Sequence, residues 1–90
     1  MGTSGIKIKL MPSSPNTNLE EIKNIAKEIV ESKQGKLREI TEEPVAFGLK
    51  ALIVFFELSE DIESEPIETA LGEIENVSSA QVIDMRRLIG

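Results

Sequence analysis

The stretch Leu49–Leu58, LKALIVFFEL, decides the fold because it is apolar on both of its alternating sets of side chains. One set is Ala51, Ile53 and Phe55, and the other is Leu52, Val54, Phe56 and Leu58. A strand with one wet face alternates apolar and polar residues, whereas a strand covered on both sides reads as a continuous apolar run. This stretch therefore predicts a strand in the middle of a sheet.

Three further strands and two helices are predicted on either side of this strand. IKIKL, residues 6–10, alternates apolar and basic residues as a half-buried strand does. Asn18 then caps a helix whose apolar stripe runs from Leu19 to Val30 and which ends at Gly35. The charged strand LREITEE follows and suits a sheet edge. Pro66 begins a second helix with one apolar stripe, and AQVIDMRRL reads as the last strand.

The resulting order, β-α-β-β-α-β, leaves few possible topologies. Each β-α-β crossover is expected to be right-handed, and two helices with one apolar side each must share one face of the sheet. The fold class is therefore α+β, a ferredoxin-like two-layer sandwich of a four-stranded antiparallel sheet and two helices on one face. The first and third strands are central. We expect Ile53 to face the helices, so that Ile53→Ala costs about 2–5 kcal/mol.

The length of 90 residues allows a single domain. Residues 1–5 lack periodicity and are predicted to be a mobile N-terminal segment, residues 6–88 form the domain, and residues 89–90 are a C-terminal extension. The apolar runs are shorter than the roughly 20 residues of a membrane span, so we expect no membrane contact. We found no basic-then-apolar leader and expect a cytoplasmic protein, monomeric when free.

The composition argues against an enzyme. The chain has no Cys and no His, which removes thiolate metal sites, cysteine nucleophiles and a base for activating a serine. No glycine-rich phosphate loop is present. The acidic residues Glu60, Asp61, Glu63 and Glu65 lack the spacing and the turn glycine of a calcium loop. We therefore predict no catalytic residues, no cofactor and no metal site.

The net charge of −6 arises entirely from residues 46–90, and no base lies between Glu57 and Glu75. Such a surface repels phosphate backbones, so we expect no direct nucleic-acid binding. Two other classes nevertheless remain as alternatives, a small-molecule regulatory domain and an RNA-binding module. RNA-recognition sheets stack bases on aromatic residues. Here Phe55 and Phe56 are adjacent and must point to opposite faces, so that signal is weak.

The stretch EEPVAFGLKALIV, residues 42–54, is the most specific part of a resemblance to a known family. With MPSSP near the start and DMRRL near the end, the chain from Ile6 to Leu88 resembles the archaeal form of translation elongation factor 1-beta. That family consists of guanine-nucleotide exchange factors for the GTPase elongation factor 1-alpha, and its fold is ferredoxin-like. The resemblance therefore implies this GTPase as the partner.

The resemblance also implies which residues contact the partner. In the family, the Phe of the FG turn contacts the GTPase near its nucleotide site, and the matching residue is Phe47. Gly48 is expected to supply a turn conformation that a side chain would disfavour. From the residues alone, the alternative is that Phe47 folds under its own hairpin as a minor core residue.

A second set of contacts is implied at the end of the last strand. In eukaryotic relatives a Lys just before the C-terminus approaches the metal region of the GTPase. The matching position is Arg87, with Arg86 and Leu88 beside it. The sequence departs from the family here because Arg replaces Lys, the terminal strand is shorter and residues 89–90 follow the Leu. A guanidinium does not substitute freely for an ammonium.

Overall fold

A computed structural model describes residues 2–88, and it has the predicted order of elements. The α+β ferredoxin-like fold is confirmed. Met1 and the predicted extension, residues 89–90, lie outside the described residues. The elements are β1 (Thr3–Pro12), α1 (Leu19–Ser32), β2 (Lys36–Pro44), β3 (Lys50–Ser59), α2 (Glu65–Gly72) and β4 (Val77–Leu88).

The sheet has the order β2-β3-β1-β4, and each pair of neighbours is antiparallel. The prediction that the first and third strands are central is therefore confirmed. Thr3, at the start of β1, lies opposite both Ser59 and Leu88, at the ends of β3 and β4. We call this the Leu88 end of the sheet. At the other end of β1, Leu10 lies opposite Leu52, close to the β2–β3 hairpin, and we call this the Phe47 end.

The core lies between the sheet and the two helices. Directly opposed residues of neighbouring strands share a face. Ile8 lies opposite Val54, so both point to the helix side of the sheet, where the buried apolar residues of the strands pack against those of the helices. They are Ile6, Ile8 and Leu10 of β1, Ile22, Ala26 and Val30 of α1, Leu52, Val54, Phe56 and Leu58 of β3, and Ile67 and Leu71 of α2.

The prediction that Ile53 faces the helices is wrong. Ile53 lies opposite Lys9 of β1, on the other face of the sheet, which we call the open face, and it is half-buried. Both sets of β3 are apolar, so β3 alone cannot say which set faces the helices. The face is set by β1, whose Ile and Leu residues all lie on the helix side.

The start of β1 and the end of α1 also differ from their sequence predictions. β1 begins at Thr3, so it takes in residues 3–5 of the segment predicted to be mobile. At the end of α1, the left-handed residue is Gln34, with φ 69°, and not Gly35. Gly35 is needed for a different reason, because a Cβ there would lie 2.7 Å from the side chain of Val30.

Neither helix among residues 2–88 is long and apolar enough to cross a membrane.

A matched pair of truncations tests which face of β3 is inside. Leu52 is 1% exposed in the core, so Leu52→Ala should lower the free energy of unfolding by about 2–5 kcal/mol. Ile53→Ala removes a similar volume from the half-buried open face and should cost less than half as much. Urea denaturation of both variants measures the difference. An equal or larger loss at Ile53 would contradict the orientation of β3 described above.

Candidate partner-binding site

The β2–β3 hairpin ends in a short turn that carries Phe47 at its tip. The N–H of Val45 donates a hydrogen bond to the carbonyl of Leu49 at 2.9 Å, which leaves the three-residue turn Ala46–Gly48. The Phe47 side chain is 92% exposed. A large apolar side chain with that exposure contributes nothing to the core, so the alternative of a minor core residue does not describe this turn.

The backbone of the turn lies in the left-handed region at two successive residues. Phe47 has φ 63° and ψ 29°, and Gly48 has φ 76°. Glycine adopts this region readily, but for other L-residues it costs roughly 1–2 kcal/mol. A Cβ at Gly48 would meet nothing within 4 Å, so conformation and not crowding favours glycine there. Strained backbone of this kind concentrates at functional sites. The turn is therefore a candidate contact site on its geometry alone.

The other predicted contact residues, Arg86, Arg87 and Leu88, lie at the opposite end of the sheet. They end β4, beside the start of β1, whereas Phe47 follows β2 beyond the far end of β1. The ten residues of β1 span about 30 Å at about 3.3 Å per residue. The structure therefore does not bring the five predicted contact residues into one patch.

The residues that end β4 point to both faces of the sheet. Arg86 lies opposite Gly5 on the open face, and its Nε is 3.1 Å from a carboxylate oxygen of Asp84. Arg87 lies opposite Ser4 on the helix side, and its Nε donates to both carboxylate oxygens of Glu60, at 2.8 and 3.0 Å. Both guanidinium groups are thus already paired within the chain.

Glu60 is a residue near the candidate site that the sequence did not single out for this role. The hydrogen bond from Arg87 lowers the pKa of the Glu60 carboxyl, and the charge of Arg87 adds to the effect. The backbone N–H of Glu60 donates to the carbonyl of Gly2 at 2.9 Å, and its carboxylate fills the space that a side chain at Gly2 would need. Because 27 positions separate Glu60 from Arg87, no local pattern could have shown the pair.

The open face bears on the RNA-binding alternative. Of the three Phe residues in the chain, Phe55 lies on this face, with the Lys7 ammonium 5.7 Å from its ring centroid. Around it, positive and negative side chains alternate, as in the pair of Lys9 and Glu43 at 3.7 Å. One aromatic on a face of mixed charge does not make the two- or three-base platform of an RNA-recognition sheet.

Within residues 2–88 no three acidic side chains are grouped to hold a metal ion.

Comparison with known proteins gives the class to which this fold and site belong. Residues 5–88 match the family described as the EF-1 guanine nucleotide exchange domain, and the chain belongs to that family. It is 42% identical over 86 residues to elongation factor 1-beta of Methanococcus maripaludis strain S2, which covers 94% of this chain and 97% of that protein. It is 40% identical over 89 residues to elongation factor 1-beta of Methanosarcina barkeri, which covers 98% and 100%.

Two solved structures share the fold at low sequence identity. The 30S ribosomal protein S6 of Thermotoga maritima superposes with a TM-score of 0.65 at 15% identity, over 96% of this chain and 88% of that one. The ACT domain of a GTP pyrophosphokinase from Chlorobium tepidum gives 0.58 at 12% identity, over 91% and 97%. These likenesses support the fold alone.

The strain in the turn predicts how two substitutions of Phe47 differ in stability. Phe47→Gly should be more stable than Phe47→Ala by about 1 kcal/mol, because glycine adopts the left-handed conformation without steric cost. Urea denaturation of the two variants measures the difference. Equal stabilities would show that residue 47 does not hold a positive φ in solution.

The pair of Arg87 and Glu60 predicts a pH dependence. Because the folded-state pKa of Glu60 is lowered, the pair contributes stability above the ordinary pKa of a glutamate, and this contribution is lost as the pH falls through the lowered value. In Arg87→Gln the pKa of Glu60 should rise toward its ordinary value. A carboxyl NMR titration measures this, and Arg86→Gln is the matched control. A Glu60 titration that does not move in Arg87→Gln would contradict the pairing.

Proposed function

We propose that this chain promotes GDP release from the GTPase elongation factor 1-alpha by contacts at both ends of its sheet. The membership of residues 5–88 in the exchange-domain family supports the activity and the partner. The single observation that carries the contact at the first end is Phe47, a 92% exposed aromatic side chain on a strained turn. Arg86, Arg87 and Leu88 provide the contact at the other end.

Nucleotide exchange needs no covalent chemistry from this chain. A protein that binds the GTPase more tightly without nucleotide than with it must weaken nucleotide binding by the same factor. In GTPases the phosphate loop and Mg²⁺ hold the phosphates, so contacts that displace either of them speed release. The absence of Cys and His from the sequence accords with such a mechanism. We therefore assign the chain no catalytic residue and no cofactor.

The separation of the two ends constrains how the partner binds. A standard protein interface buries about 800 Å² on each partner, a patch about 30 Å across. That is about the length of β1, and the molecule is 42 Å long. One interface of ordinary size can therefore contact both ends if it runs along the strands. The two contacts are then far enough apart for their effects on binding to be nearly additive.

The guanidinium group through which Arg87 contacts the partner is already bound to the carboxylate of Glu60 in the free chain. The Arg87 side chain is 81% exposed, and an exposed ion pair contributes little to stability, so Arg87 can exchange Glu60 for an oxygen of the partner. The guanidinium stays positively charged in either state. This is how Arg87 supplies the cation that the family's terminal Lys supplies in eukaryotic relatives.

We further infer that the chain acts as a monomer in the cytoplasm, without binding nucleic acid or membranes. The acidic second half supports the expected lack of nucleic-acid and membrane binding, since it carries the whole net charge of −6 and repels both phosphate backbones and anionic lipid surfaces. A sedimentation measurement of the free chain checks the oligomeric state directly.

Truncation of Phe47 tests the proposed function. Phe47→Ala should leave the free energy of unfolding within about 0.5 kcal/mol of the original, because exposed substitutions rarely do more. Release of fluorescent GDP from elongation factor 1-alpha should slow about thirtyfold, since an aromatic anchor of an interface contributes about 2 kcal/mol. Thermal unfolding and GDP release are measured together, at saturating and sub-saturating concentrations of the factor.

Phe56→Ala is the matched control, because Phe56 is the same residue type buried in the core. It should lose about 3–5 kcal/mol of stability while each folded molecule still promotes exchange. Rates from a well-folded Phe47→Ala variant that match the original would remove Phe47 from the site. If the unmutated chain does not speed GDP release at all, the function itself is wrong.

A further inference from the structure

A small groove lies directly beside the Phe47 turn. Its volume is about 190 Å³, which is room for one side chain. One wall is the loop between β1 and α1, which contributes Ser14 and Thr17, and the other contains Gly48 and Lys50. The groove and Phe47 are therefore placed to contact the same partner surface.

The two hydroxyl groups of the groove are held as hydrogen-bond acceptors from within the chain. The backbone N–H of Asn16 donates to Ser14 Oγ at 3.3 Å, and the backbone N–H of Ser14 donates to Thr17 Oγ1 at 3.3 Å. A hydroxyl carries one donor hydrogen besides its two acceptor lone pairs. The two oxygens are 3.4 Å apart, so one hydroxyl can donate to the other while the second donates outward. The groove thus offers at least one free O–H donor.

Lys50 supplies a positive charge that is paired only at long distance within the chain. Its Nζ is 4.0 Å from a carboxylate oxygen of Glu42, the outer limit of an ion pair, and its side chain is 59% exposed. Glu42 is bound more closely by Lys23, at 2.9 Å, and the hydrogen bond from Lys23 is the main cause of the lowered pKa of Glu42. The charge of Lys50 therefore remains available to an incoming anion.

The two chain segments that flank the groove carry no charge of their own. Residues 12–19 and residues 45–49 include neither an acid nor a base, although 29% of the whole chain is charged. The centres of protein interfaces are depleted of charged residues in the same way. The ammonium group of Lys50 on one wall and a hydroxyl donor on the other are together complementary to one negatively charged oxygen group.

We propose that this groove is a further contact site beside Phe47, which we call the Lys50 contact and which binds a carboxylate side chain of the partner GTPase. The proposal rests on the proposed function, since it assigns a further contact to the same interface. The aromatic ring of Phe47 provides the apolar anchor. The pair between Lys50 and the partner's carboxylate sets the orientation of the complex, which is the usual contribution of charges at an interface.

Neutralising Lys50 tests the Lys50 contact. Lys50→Gln should raise the concentration of factor that gives half-maximal GDP release about fivefold, the upper range for a partly exposed ion pair, with little change in the plateau rate. Lys50→Glu should raise it further, because it repels the carboxylate. The increase between the original and Lys50→Gln should shrink at high salt, where such pairs are screened.

The matched control is Lys27→Gln, which removes an exposed lysine from the middle of α1, outside the contacts proposed at the two ends of the sheet. It should leave half-maximal exchange unchanged. Urea denaturation shows whether each variant is folded. Coupling with a zero-length carbodiimide, which joins an amine to a touching carboxylate, should link Lys50 to an Asp or Glu of the GTPase in the nucleotide-free complex.

Two results separate the failure of this inference from the failure of the proposed function. If the original chain speeds GDP release and both Lys50 variants match it, with no link at Lys50, the groove does not bind a carboxylate and the exchange function stands. If the original chain does not speed GDP release, the proposed function is wrong and the Lys50 contact is excluded with it.

Discussion

The pairing of β1 on both of its sides is the constraint on which the rest of the structure depends. Its register with β3 places Val54 and Phe56 opposite Ile8 and Ile6, and this decides which face the helices cover. Its antiparallel pairing with β4 places Leu88 beside Thr3. The same strand therefore separates the Phe47 turn from the arginines of β4 by its own length. The core and the placement of both candidate contacts follow from one register.

Most of the fold could be predicted from the sequence because its signals are local or topological. Strand and helix periods locate the elements, and the right-handed crossover leaves few arrangements of them. The orientation of β3 could not be predicted in the same way, since both of its alternating sets of side chains are apolar and the choice depends on pairing with β1, a strand distant in the sequence. The end of α1 is a similar case. Gln34 takes the left-handed conformation expected of Gly35, and Gly35 is needed because the chain passes too close to Val30 for a side chain there.

The candidate site was predictable to a smaller extent. An apolar turn containing Phe47 and Gly48 is visible in the sequence, but the left-handed conformation of Phe47 is not, because the hairpin geometry imposes it against the preference of the residue. Glu60 and Arg87 form a pair although they are far apart in the sequence, and the hydroxyl groups of Ser14 and Thr17 line the same groove as Lys50. Such contacts have no period and no spacing, so they appear only when the fold brings them together.

The two ends of the sheet differ in how the chain holds its cations, and this difference bears on how an acidic protein can bind through positive charge. Arg87 donates to both oxygens of Glu60 at short distance, whereas Lys50 lies at the limit of its pair with Glu42, which Lys23 binds more closely. At the Leu88 end, a partner oxygen must therefore replace an internal hydrogen bond. At the Phe47 end, the contact proposed for Lys50 competes only with the longer pair to Glu42. Exchange is driven only by contacts that are stronger in the nucleotide-free complex than in the nucleotide-bound one. In our proposal, a contact at the Phe47 end loses less of its gain to an internal pair than a contact at the Leu88 end does.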